Sequence, residues 1–217
     1  MTEQMVVDAA IAVGVNDFTI ADIADRLGTG MSAIYRVFPT REMIVHQAMA
    51  FLITRYEQPA DHGQPWWDYV EEYAAYLFAI LTEHRIRTIH FLEGGVSVRT
   101  QFEARVNNMQ SLLNRGFSAD EAFEVLQGMT VIVGGAAVMQ MHLDLARENG
   151  SNHRLESIKM KADPAWSGQP RICELIDIFA QEERHTEWKS ILRMYIRGIA
   201  IRRNEKIPDD YVYQVKS

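Results

Sequence analysis

Within one stretch of 23 residues, Thr19 to Arg41, the chain gathers Thr19, Ser32, Tyr35, Arg36, Thr40 and Arg41. Hydroxyls and guanidiniums at this density suit a polyanion. Hydroxyls of Tyr35 and Thr40 can bond phosphate oxygens, and Arg41 can neutralise a phosphate. Ser32 suits either a phosphate or a base edge. Arg36 is the candidate for reading a base directly, because a guanidinium pairs with guanine through two hydrogen bonds, while Met31 and Ala33 suit contact with a thymine methyl. Metal-dependent enzyme chemistry would fall to His84, His90, Glu93 and His142, but neither HExxH nor a pair of Glu-x-x-His spacings is present. The lone Cys173 has no motif around it. The reading is therefore not an enzyme, with no catalytic residue, no metal and no cofactor.

The elements that carry these residues are helices. Thr19 can cap a helix whose Ile20, Ile23, Ala24 and Leu27 fall at helical spacing. Gly28 suits a left-handed stop, and Thr29 and Gly30 make the turn. A second helix from about Ser32 to Phe38 turns Ile34 and Phe38 inward, and Pro39 ends it. Helix, short turn and helix form the helix-turn-helix pattern, whose second helix enters the major groove. A preceding helix over 2–13 carries Met5, Val6, Ala9, Ala10 and Val13 on one stripe, with Gly14 as its stop.

TIADIADRLG followed by SAIYRVFPTREMI resembles the DNA-binding head of the tetracycline-repressor (TetR) family over roughly residues 5 to 50. That family runs an apolar helix into Leu-Gly, places a Tyr in the recognition helix and follows with Phe-Pro-Ser-Lys-Glu. Here these are Leu27-Gly28, Tyr35 and Phe38-Pro39-Thr40-Arg41-Glu42. The resemblance implies DNA contacts from Thr19, Met31, Ser32, Ala33, Tyr35, Arg36, Thr40 and Arg41. Charge departs from the pattern. Residues 1–50 hold Arg26, Arg36 and Arg41 against Glu3, Asp8, Asp17, Asp22, Asp25 and Glu42, and the whole chain carries −7. Non-specific DNA affinity, which phosphate contacts supply, should be weak.

The body reads as helices too. Arg41 to about Glu57 forms a long helix, and 59–65 a loop. Trp66 to Thr82 is apolar nearly all round, with more Tyr and Trp tips than a plain core needs. A short helix over 84–92 runs to Gly94-Gly95, a plausible hinge. Ser97 or Thr100 opens a helix to about Asn114. Ser118 and Glu121 read as a capping box for the longest helix, 119–149. Its apolar run, Val125 to Leu143, is long enough for a membrane span. Gln127, Thr130, Gln140, His142 and a cluster of glycines and alanines make it a buried helix at a subunit interface instead. Residues 150–169 are polar and read as a mobile loop. Helices follow at 171–181 and 186–203, and a loose tail after Pro208.

The fold expected is all-α, with a helix-turn-helix head over 1–47 and a ligand-binding and dimerisation body over 48–217, in about nine to ten helices. One cysteine and no secretory signal at the N-terminus fit the cytoplasm. HRIRTIH at 84–90, QFE at 101–103 and RGFSADEAFEVL at 115–126 are more loosely similar to tetracycline-binding members of the family. This resemblance implies a homodimer built on 119–149 and 186–203 and a pocket inside the body. His90 matches a metal-ligating histidine there, but the supporting acidic position falls at Met139. An apolar or aromatic, metal-free effector is expected, lined by Tyr56, Tyr73, Leu77, His90, Met109 and Met139, with Arg105 and Asn108 on a shared face. The partners are an operator in double-stranded DNA, a second copy and the effector. The alternatives are a non-DNA-binding helical dimer and a helical enzyme.

Overall fold

The computed structural model describes residues 1–15, 17–53, 57–83, 85, 88–89, 98–181, 187–208 and 211, with backbone only for Ile53 and 98–104. Ten helices and no strand occur among them. They are α1 (Glu3–Val13), α2 (Ile20–Arg26), α3 (Met31–Val37), α4 (Arg41–Ile53), α5 (Trp66–Glu83), α6 (Val98–Leu113), α7 (Ala119–Glu148), α8 (His153–Ala162), α9 (Pro170–Phe179) and α10 (Trp188–Arg202). Two compact units result. One is Met1–Gln58 with Glu83–Gly95; the other is Pro59–Thr82 with Val96–Ser217. The expected hinge at Gly94-Gly95 lies outside the described residues, as do Tyr56 and His90.

In the first unit, α1 packs on α4 and α2, and α2 on α3. Val6, Val7, Ala9 and Ala10 are the inner face of α1, while Met5 and Val13 are exposed. They join Phe18, Ile23, Ile34, Phe38, Ile44 and Leu52 in one apolar cluster. Gly14 ends α1 at φ 125° and Gly28 ends α2 at φ 62°. Both backbones sit where a Cβ is penalised, so glycine is the residue that lets each helix stop sharply.

The second unit is built around α7. Its Ser118 capping box is formed as expected, with the Glu121 N–H donating to Ser118 Oγ at 3.2 Å and the Ser118 N–H donating to Glu121 Oε2 at 2.8 Å. Among the described residues α7 is long and apolar enough to cross a membrane. Its Ala122, Val125, Leu126, Met129 and Val133 instead form the body core with Trp66, Val70, Leu112, Leu192 and Ile196. Gly128 lets α10 come close. A Cβ there would lie 2.3 Å from the Tyr195 ring, whose hydroxyl donates to the Glu124 carbonyl at 2.7 Å.

Two expectations are corrected. Residues 153–162 form α8, capped by Asn152, whose side chain accepts from the Leu155 N–H at 2.9 Å. The charged residues that suggested a loop lie on its exposed faces, and α8 packs on α9. Of the tail expected to be loose, Tyr211 is held in place; the other residues after Pro208 lie outside the described residues. Trp66 Nε1 donates to Glu205 at 2.6 Å, and the Tyr211 hydroxyl donates to Glu71 at 3.1 Å beside the Trp67 ring. Beside this strap a cleft of about 700 Å³ opens between α5 and α10.

Candidate DNA-reading helix and body polar cluster

The head presents α3 because of what surrounds it. Thr19 caps α2 in a reciprocal box. Its hydroxyl accepts from the Asp22 N–H at 3.2 Å, and Asp22 Oδ2 accepts from the Thr19 hydroxyl and N–H, both at 2.7 Å. Those bonds, the backbone one foremost, hold the Asp22 carboxyl below its usual range. The turn closes with the Thr29 N–H on the Ala24 carbonyl at 3.0 Å. Ile34, fully buried, and Phe38 anchor the inner side of α3.

With Ile34 inward, helical geometry turns Met31, Ser32, Tyr35 and Arg36 outward. All four are exposed, Met31 at 52% and Tyr35 at 47%. Ala33 lies on a half-buried flank. Thr40 Oγ1 accepts from the Met43 N–H at 3.3 Å, at the start of α4. Arg41 is half-buried. Its Nε donates to the Phe18 carbonyl at 3.1 Å and its guanidinium stacks 4.6 Å over the Phe18 ring. Thr19 and Arg41 therefore already hold the head together. The phosphate chemistry expected of them competes with that work.

In the body, α5 and α6 bring together most of the expected ligand residues. Tyr73 is buried and stacks on Tyr76, with ring centroids 5.7 Å apart. Burial first, and then Tyr76, push the Tyr73 phenol up to about 12, while the Arg105 charge works the other way. The phenol is thus a neutral hydrogen-bonding group at any physiological pH. Asn108, 1% exposed, accepts the Tyr69 hydroxyl through Oδ1. Leu77 and Met109 are half-buried against the same core. Arg105 is half-buried and donates to Gln127 Oε1 at 3.2 Å, linking α6 to α7. Met139 stands apart, 39% exposed on α7. This cluster combines two stacked phenols, a buried amide and apolar side chains.

Two features gave no signal in the sequence. Tyr69 is one partner that makes Asn108 burial tolerable, and it sits 39 residues away. Arg115 grips Asp61 with two 2.6 Å bonds and donates to the Ser111 and Gln64 carbonyls, pinning the 59–65 loop. The bond from Arg115 holds the Asp61 carboxyl well below the usual range. The cleft beside the C-terminal strap is lined by Trp67, Asp68, Glu71 and Arg193, and Tyr73, Leu77, Asn108 and Met109 do not reach it.

A three-helix head with helix-turn-helix geometry, followed in sequence by a larger all-helical body, defines the fold of TetR-family regulators. No family model and no curated protein matches the sequence. Solved structures do. The TetR family protein ActR of Streptomyces coelicolor, in complex with actinorhodin, has a TM-score of 0.70 at 18% identity over 92% of this chain and 95% of its own. TetR of Acinetobacter baumannii has a TM-score of 0.63 at 17% identity over 95% and 100%. A glutamine-to-alanine variant of that TetR, in complex with minocycline, has 0.59 at 15% over 92% and 98%. The chain has the TetR-family fold.

Proposed function

We propose that this chain is a cytoplasmic, homodimeric transcriptional repressor of the TetR family, released from its operator by a small apolar or aromatic effector without a metal. Residues 1–47 would bind DNA and 48–217 would bind the effector and dimerise. The observation that carries the reading is the outward face of α3, where Ser32, Tyr35 and Arg36 stand in water behind a helix-turn-helix turn. A helix so presented fits a major groove, and two such heads must sit about 34–36 Å apart to use successive grooves. An effector that binds a conformation of different spacing lowers DNA affinity by its differential affinity for the two states. The buried Tyr73 and Asn108 and the half-buried Leu77 support an effector with an aromatic skeleton and one or two hydrogen-bonding groups. Structural neighbours solved with actinorhodin and with minocycline support a ligand-binding body.

Dimerisation is supported by the outer faces of α7 and α10. Phe123, Val131 and Met139 on α7 and Ile191, Met194 and Ile201 on α10 are exposed, Val131 at 63% and Ile201 at 76%. These two helices pack on each other. Apolar stripes of this length are usually covered by a partner, and a second copy would complete a four-helix bundle.

The acidic head favours one second reading, a ligand-binding dimer that does not bind DNA. Fluorescence anisotropy of the full chain with DNA from upstream of its own gene separates the two. Saturable binding that Arg36→Ala weakens at least tenfold supports the repressor. Binding that is absent at low salt, or indifferent to Arg36→Ala, removes it.

A further inference from the structure

The reading face of the head is short of positive charge. Residues 1–50 contain no lysine and three arginines against six carboxylates. One of the three, Arg41, already serves the Phe18 carbonyl and ring. At the start of α2 the Thr19 hydroxyl donates into Asp22, whose carboxyl is held ionised 2.7 Å away. A phosphate approaching Thr19 would meet a charge of its own sign. What α3 offers outward is mostly uncharged: the Met31 thioether, the Ser32 hydroxyl and the Tyr35 phenol, with Arg36 as its one cation.

Recognition helices of this geometry direct their N-terminal residues at base edges. Met31, the first residue of α3, has no donor for a base edge. Its apolar side chain complements the one apolar group in the major groove, the thymine C5-methyl. Building on the DNA-binding reading above, we infer that this protein holds its operator mainly through non-ionic contacts. Met31 reads a thymine methyl, Tyr35 and Ser32 position the helix, and phosphate neutralisation contributes little. Asp22 keeps non-specific DNA affinity low.

The salt dependence of binding measures this directly. With Arg41 committed to Phe18 and Arg36 turned to a base edge, one arginine of residues 1–50 is left for phosphate in each of two heads, so log K against log salt should be no steeper than about −2. The full-length protein is titrated by anisotropy against its upstream fragment across a salt series. A second fragment carries uracil at every thymine position and so lacks only the methyls. The expected results are a slope no steeper than about −2 and at least a fivefold loss on the uracil fragment. Met31→Ala, at an exposed position, should bind the two fragments within twofold of each other. A steeper slope overturns the inference while leaving the protein a DNA binder. Equal binding of thymine and uracil DNA by the unsubstituted protein overturns it too. No saturable binding at the lowest salt removes the DNA-binding reading itself, and the inference with it.

Discussion

Asn108 shows how much one buried amide can commit a helix to its place. It sits fully inside the body and takes the Tyr69 hydroxyl. Asn108→Ala takes the amide acceptor from that buried phenol and should cost about 1–2 kcal/mol in urea denaturation. Adding Tyr69→Phe should recover part of the loss, because the under-satisfied hydroxyl goes with it. Asp61 makes a second test with a sign that depends on pH. Arg115 depresses its carboxyl from 3.8 in the folded state, so the stability it contributes is present above the ordinary carboxylate range. That contribution fades as pH falls toward the depressed value. The melting temperature of the unsubstituted protein should exceed that of Asp61→Asn by a constant margin from pH 5 to 8, and the margin should shrink below about pH 4. Tyr35 and Arg36 could be placed from sequence because a single inward Ile34 dictates which neighbours face water. Tyr69 and Asn108 could not be paired that way, since nothing local links two residues on different helices.

The approach of α7 and α10 at Gly128 gives an outcome whose sign reverses with background. In the intact protein, Gly128→Ala forces the Tyr195 ring aside and breaks its bond to the Glu124 carbonyl. The substitution should destabilise by about 1–2 kcal/mol net of the helix-propensity gain. In a Tyr195→Ala background the clash is gone, and the same change should stabilise by up to about 1 kcal/mol through propensity alone. Thermal melts of the four proteins of that cycle check it. Helix boundaries were readable where the signal was local. The Thr19 and Ser118 boxes and the stops at Gly14 and Gly28 lie within a few residues of the backbone groups they serve. Helix α8 was misread because a polar, exposed helix resembles a loop in composition, and only its Asn152 cap hinted otherwise. The strap was invisible because its partners are far apart in the chain.

Assembly is the property of the molecule that the exposed faces of α7 and α10 put at stake. Val131→Asp together with Ile201→Asp places charges on those faces without touching the buried core. On the dimer reading, light scattering should show the pair of substitutions halving the mass in solution and leaving helical content unchanged. A retained dimer would send the interface elsewhere. The head and the body also differ in how they are assembled from the chain. Among the described residues, the head's apolar cluster comes from Val6 to Leu52. The body instead fastens α5 with side chains near the far end of the chain, Arg193, Glu205 and Tyr211.

That last fastening has a consequence during synthesis on the ribosome. Trp66 is made 139 residues before Glu205, an interval of about 7–28 s at ordinary elongation rates of 5–20 residues per second. Until Glu205 and Tyr211 emerge, the Trp66 N–H lacks its acceptor and Trp67 lacks its edge-on ring, while the described apolar cluster of the head has all of its residues. Nascent chains stalled before Glu205 should therefore show a protease-resistant head and a body dependent on holding chaperones. Slowing elongation should lower the yield of intact protein more than removing any single surface charge does.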